Sequence, residues 1–235
     1  KDGNTVTDQS SNSNDFSVAS GTLTKSEDNP SNVFATWNAL DNYYPSHALS
    51  YGNTRLVFNT NNEAFINSTI GMESGKFYME LKNTVHSAGY NYAGVSYSSP
   101  DATGDWLGNN SYSWGYRTDG KVYNGASLQA TYSSFTANDI IGVALDMDNN
   151  KLYFSKNGTW QNSADPANGT NGISVTAGKT YFFATGKTGA NSGQKVVGNF
   201  GNGYFQTTAV ASAGTNASNN GIFEYDVPTG FTALS

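Results

Sequence analysis

The chain has 235 residues and a formal net charge of −6, with 37% hydrophobic, 14% aromatic and 13% charged residues, 26 glycines and no cysteine. The 12 Lys and Arg against 18 Asp and Glu offer no basic stripe for a phosphate backbone, which argues against nucleic-acid binding, and the lack of cysteine excludes disulfides and thiolate metal sites. Leu, Ile, Val and Phe make up only 42 residues, yet 15 Tyr and 4 Trp restore the apolar volume, so one domain with a real core is expected at this length.

In chain order, residues 1–31 are Ser, Asn, Asp, Thr and Gly with isolated apolar side chains. Such a segment cannot offset its ordering entropy alone, so it reads as a low-complexity linker or as an arm that docks on a neighbour. It opens at Lys1 without a charged-then-apolar leader, as a processed product or an excised fragment would. Residues 32–235 form the expected domain. Within it, Tyr43-Tyr44-Pro45 is either an exposed patch or a strap. No apolar run approaches the about 20 residues that span a bilayer, so no membrane insertion is expected.

Helical periodicity is missing throughout, and the chain reads as all-β. Strands are expected at 55–58, 65–70, 76–81, 92–97, 112–116, 121–123, 140–146, 151–155, 181–186, 195–200 and 222–225. Gly, Asn, Asp and Ser punctuate them at short spacing, as in an antiparallel sandwich or barrel. The apolar run Ile140-Ile141-Gly142-Val143-Ala144-Leu145, a turn over Met147-Asp148-Asn149-Asn150 and then Leu152-Tyr153-Phe154 predict a hairpin near the sheet centre. Thr118-Asp119-Gly120 predicts a tight turn between Trp114 and Val122.

Chemistry is thinly supplied. His47 and His86 are the only histidines, no Gly-x-Ser-x-Gly elbow occurs, and both read as exposed loop residues rather than catalytic ones. Glu73 and Glu80 are the tempting carboxylate pair for glycoside hydrolysis, but their odd separation puts them on opposite faces of a strand. The Asp146-Met147-Asp148-Asn149 run begins like a calcium loop and then lacks its glycine and its glutamate, so these residues read as turn formers. Asp101 and Asp105 flank Gly104 and are the weak metal candidates, with calcium the one cofactor considered. More suggestive are aromatics set among amides and hydroxyls at Tyr90, Tyr92, Trp106, Asn109, Tyr112 and Tyr132, because rigid rings give contact area at low entropy cost while polar neighbours give direction. Trp114, Tyr116, Tyr153, Phe154 and Trp160 belong in the core by their strand context.

The run Ser74-Gly75-Lys76-Phe77-Tyr78-Met79-Glu80-Leu81, then Ala93-Gly94-Val95, Ser113-Trp114-Gly115-Tyr116, Asp139 through Asp146, Lys151 through Gly158 and Asn199-Phe200-Gly201 resembles the SPRY-domain family in order and spacing over about 75–205. Met79 departs from the pattern, which often has an aromatic there. The resemblance implies a bent two-sheet antiparallel sandwich of the concanavalin A-like kind and a binding or scaffold role without shared catalytic residues. The flanks, 31–41 and 228–234, are similar to the borders of SPRY-type modules in bacteriophage structural proteins. That second resemblance implies a noncatalytic virion module at the particle surface: a tail-fibre or appendage recognition domain for a host-surface glycan or protein, oligomeric on the particle and joined to other virion proteins through the arm. A capsid decoration or head-fibre protein and a peptide-binding SPRY adaptor are the alternatives.

Overall fold

The computed structural model describes residues 33–41, 47–86, 89–101, 104–189, 192–211 and 220–235, with positions 12, 14, 15, 17, 19 and 20. The arm expected over 1–31 falls almost wholly outside the described residues, as does Tyr43-Tyr44-Pro45. Sixteen strands follow in chain order: β1 (Ala48–Ser50), β2 (Arg55–Phe58), β3 (Ala64–Asn67), β4 (Lys76–Val85), β5 (Tyr90–Ser96), β6 (Ser113–Arg117), β7 (Lys121–Asn124), β8 (Ser127–Thr131), β9 (Ile140–Asp146), β10 (Lys151–Lys156), β11 (Thr159–Trp160), β12 (Ile173–Ser174), β13 (Phe182–Thr188), β14 (Gln194–Asn199), β15 (Tyr204–Phe205) and β16 (Thr208–Ala209). The one helical element among the described residues is a 3-10 turn at Gln161–Ser163.

Two antiparallel sheets form the sandwich. The larger has eight strands in the order β1-β2-β14-β4-β9-β10-β11 with β12 beside β10; the smaller has six in the order β3-β13-β5-β6-β7-β8. Between them Met79, Leu81, Val95, Trp114, Tyr116, Ile141, Val143, Phe154 and Phe183 share one buried cluster. Every residue of β9 is buried, because this strand lies between β4 and β10 and is covered on both faces, which is why it reads as an unbroken apolar run. The expected hairpin has the register Asp146↔Lys151 through Ile141↔Lys156. Asp146 accepts the Asn149 backbone N–H at 3.0 Å and pairs with Lys76 at 3.0 Å, so it does shape the turn as expected.

The flanking segments complete the sandwich. Phe34, Ala35 and Trp37 are buried with Phe231, Ala233 and Leu234 in the main core. Trp37 meets Phe200 edge-on at 4.9 Å and donates its indole N–H to the Thr54 carbonyl at 2.9 Å. The Ala35 N–H donates to the Leu234 carbonyl at 2.8 Å, and Thr232 bridges in parallel to Phe77 of the inner strand β4, beyond the end of β14. On the face of the large sheet turned away from the small one, Phe223 packs 5.0 Å from Tyr78 and Phe231 packs 6.5 Å from Tyr153.

Three expectations need correction. Residues 222–225 do not form a strand, because the N–H groups of Glu224 and Tyr225 donate to the Glu80 carboxylate instead of to a neighbouring chain. The strand expected at 65–70 stops at Asn67. His47 is not an exposed loop residue: it is 9% exposed, packs edge-on to Phe58 at 5.0 Å, and burial together with Lys187 lowers its pKa to about 4.

Candidate recognition surface

A row of glycines shapes the outer face of the six-stranded sheet. Register places Ala184, Gly94, Gly115 and Tyr123 side by side across β13, β5, β6 and β7, with Phe65, Gly186, Tyr92 and Arg117 in the adjacent row. A Cβ on Gly186 would lie 3.1 Å from the Leu107 Cβ, and one on Gly115 would lie 2.9 Å from Tyr92 Cδ1 and against the Leu107 carbonyl. Three strands without side chains here leave a trough, and the loop 104–112 lies in it. Leu107 is fully buried with Phe65, Tyr92 and Ala184 beneath it.

Backbone bonds seat this loop. The Gly108 N–H donates to the Ser113 hydroxyl at 2.8 Å, the Ala126 N–H to the Gly108 carbonyl at 2.9 Å, and the Gly125 N–H to the Asn110 carbonyl at 3.1 Å. Gly108 has φ +104°, and a Cβ there would come 2.8 Å from the Tyr123 carbonyl oxygen, so only glycine suits the position.

The seated loop brings together most of the expected aromatics. Trp106 is half-buried, stacked 5.5 Å from Tyr92 and edge-on to Tyr123 at 5.4 Å. Tyr112 is half-buried near Phe65, and its hydroxyl donates to Asp105 at 2.6 Å. Tyr90 is 37% exposed at the start of β5. Asn109 is half-buried on the same loop, its N–H closing the turn onto the Trp106 carbonyl at 2.9 Å. Tyr92, expected as a contact residue, is fully buried and is the floor beneath Trp106. Tyr132 is elsewhere: its ring packs 5.5 Å from Tyr116 and 6.4 Å from Phe154, against the inter-sheet core.

Arg117 and Tyr123 were not expected and complete the patch. The Arg117 guanidinium lies 4.2 Å from the Tyr90 ring and 4.7 Å from the Tyr123 ring, between two aromatic faces. Asp119 grips it bidentately at 2.8 and 2.7 Å, and this fork holds the Asp119 carboxyl below its ordinary range while raising the pKa of Arg117. Period-2 alternation through Tyr90 and Tyr92, with the Asp-Gly hairpin setting Arg117 opposite Tyr92, is the signal that would have found them.

The metal candidates have other duties. Asp105 is buried and accepts from Tyr112 and Asn110, and burial raises its pKa, with repulsion from Asp101 acting in the same direction against the Tyr112 hydrogen bond. Asp101 is exposed and 3.4 Å from the Tyr112 hydroxyl. Among the described residues no three His, Asp or Glu side chains gather as a metal cluster would require. Glu73 is exposed and accepts from the Thr180 hydroxyl at 2.6 Å, whereas Glu80 is fully buried, so the two cannot flank one substrate. An open polar depression of about 620 Å³ lies away from the aromatic patch, and its Lys76 and Lys151 are held by Asp146 and Ser174.

A bent sandwich of two antiparallel sheets, with a loop seated across one outer face, defines a class of all-β domain rather than one chemistry. The family model of the SPRY domain matches residues 76–202, and the chain belongs to that family. It is 35% identical over 91 residues to the ATP-dependent RNA helicase DDX1 of Xenopus laevis, a match that covers 39% of this chain and 12% of the helicase. Among solved structures, the SPRY domain of human HERC1 superposes with a TM-score of 0.57 at 22% identity, over 69% of this chain and 96% of that domain. Stonustoxin superposes with a TM-score of 0.50 at 17% identity, over 70% of this chain and 27% of the toxin. Both structures share the fold.

Proposed function

We propose that this domain is a noncatalytic recognition module whose contact surface is the Tyr90, Trp106, Tyr112 and Arg117 face of the six-stranded sheet. The observation that carries the reading is the seating of loop 104–112 in the glycine trough, which holds half-exposed rings in fixed positions before any partner arrives. Preorganised aromatics and an arginine are the side chains that dominate binding at protein interfaces, and SPRY domains typically serve protein interaction. A protein surface is therefore the partner favoured, with a host-surface glycan as the second ligand class. Carriage on a bacteriophage tail fibre or surface appendage is the finer reading. It is supported by the resemblance of 31–41 and 228–234 to phage module borders.

Display-library panning against peptides, run beside a glycan array, tests the ligand class. Trp106→Ala with Tyr90→Ala is expected to weaken binding by 10-fold or more. Because Trp106 and Tyr90 lie over the sheet rather than inside it, the melting temperature is expected to fall by only a few degrees. Unchanged binding by the double variant would remove this face from the reading. Immunogold labelling of purified particles tests the location: gold at fibres supports the tail reading, gold over the head supports capsid decoration, and unlabelled particles leave the adaptor.

A further inference from the structure

Four strands of the large sheet carry one polar row on the face turned away from the small sheet. Register sets Lys76 of β4 beside Asp146 of β9, Asp146 beside Lys151 of β10, and Lys151 beside Ser174 of β12. Lys76 and Lys151 stand two residues from Tyr78 and Tyr153, so they share the outer face with those rings. Lys76 Nζ lies 3.0 Å from Asp146 Oδ2, and Lys151 Nζ donates to the Ser174 hydroxyl at 2.9 Å. The depression of about 620 Å³ opens over this row, walled by Asn149 in the turn between β9 and β10 and by Ala167, Asn168 and Gly169 in the loop before β12.

Both walls are built the same way. Asp146 accepts the Asn149 N–H at 3.0 Å and its side-chain amide at 2.8 Å, and Asp165 accepts the Asn168 N–H at 3.2 Å and its side-chain amide at 2.6 Å. A carboxylate only accepts, so the NH2 end of each asparagine faces its aspartate and the carbonyl end is turned away. Two Asp-x-x-Asn turns thus hold two exposed acceptor oxygens in place, and among the described residues no donor reaches either. Gly169, at φ +75°, has nothing within 4 Å of where a Cβ would stand, so this wall is open to close approach.

We propose that this depression is a saccharide site that takes an uncharged polyhydroxyl ring, on a different sheet from the aromatic face and independent of the reading given to that face. A sugar hydroxyl both donates and accepts, so it is matched by a lining that offers both. Here the lysine ammoniums donate and the asparagine carbonyls accept, each positioned before a ligand arrives. Charge disfavours the other small ligands. Lys76 and Lys151 are outnumbered by Asp146, Asp148 and Asp165 on the same row and turns, which opposes a phosphate or a carboxylate, while two ammoniums in the lining repel a metal ion. Among the described residues no aromatic ring lines the depression, so millimolar affinity for a single sugar is expected.

Amide spectra of isotope-labelled protein test this by titration at millimolar levels with glucose, galactose, mannose and N-acetylglucosamine in turn, with glucuronate and inorganic phosphate as charged probes. Saturable shifts of the Asn149, Asn168 and Gly169 amides with a neutral sugar are expected. Lys151→Met, which keeps the stem and removes the donor, and Asn168→Ala, which removes an acceptor, are each expected to weaken that binding roughly 10-fold. The proposal is overturned if no neutral sugar moves these amides saturably, if only glucuronate or phosphate does, or if both variants bind as the wild type does. Sugar-dependent shifts confined to the Trp106 and Tyr112 amides also overturn it, and would put the glycan on the aromatic face instead. Should one variant not fold, the other variant and the wild-type titration decide.

Discussion

Tyr90 and Tyr92 stand two residues apart on the same face of β5 and meet different fates. Tyr90, at the strand end, keeps 37% of its surface and stacks on Arg117, whereas Tyr92 disappears beneath Trp106. Composition marks both as aromatic among polar neighbours; which one is covered depends on a loop that crosses them from more than ten residues further along. For the same reason His47 looked like a loop residue, since Phe58 and Lys187, which bury and depress it, are distant in sequence. This histidine acts against the Glu80 carboxyl, which burial pushes up to about 7, so that its contribution to stability is full below the ordinary 4.5 and is lost as pH rises through 7. Its folded pKa of about 4 lies below the ordinary 6.5, so its contribution to stability is present above 6.5 and is lost as pH falls towards 4. The two effects offset each other in overall stability, and urea midpoints of the wild type are expected to change little between pH 5 and pH 7. In Glu80→Gln only the histidine remains, and the midpoint is expected to drop as the solution is acidified. A variant whose midpoint instead rose on acidification would show that another group governs the profile.

Strands differ in how plainly they announce themselves. The boundaries expected for β2 and β9 match the structure residue for residue, because β9 is covered on both faces and β2 is buried over most of its length. β8 is a strand that the sequence marks only faintly: Ser-Leu-Gln-Ala-Thr alternates, but over just two small or exposed apolar residues, and it lies at the edge of its sheet with Leu128 54% exposed. Its pairing with β7 is a consequence of the preceding hairpin, not of its own side chains. The false strand at 222–225 has the opposite cause, a sequence rich in β-formers whose N–H groups are claimed by a side chain. These contrasts set expected energies. Val143→Ala, in the inter-sheet core, is expected to cost about 2 kcal/mol, whereas Leu128→Ala at the open edge should stay within about 0.5 kcal/mol. Chemical denaturation of both variants checks the difference, and equal losses would contradict the assignment of β8 to the edge.

At the scale of the whole molecule, the fold class and the family were legible from motif spacing, and the shared core reaches beyond the motifs that carry the family. The matched family region ends at residue 202, yet Phe34, Trp37, Phe223, Phe231 and Leu234 belong to the same core as β4 and β9. Removing residues 228–235 takes away two buried large apolar side chains and the Thr232 bonds to Lys76 and Tyr78, and is expected to lower the melting temperature by about 10 °C or more. A smaller change would show that the segment is only draped on the sheet. The candidate surface was half legible: its rings were visible as residues, and its glycine trough was not, because a missing side chain has meaning only once three strands lie side by side. That trough separates two jobs that many binding proteins give to the same residues. Loop 104–112 is held by the glycines beneath it, by main-chain bonds, by Leu107 and by the Tyr112 hydroxyl on Asp105, while Trp106 and Asn109 project from a platform whose placement depends little on them. A randomised library at those two positions should consequently yield mostly well-folded members, and changes at Gly94, Gly115 or Gly186 should yield few, so the domain can acquire new specificities without renegotiating its architecture.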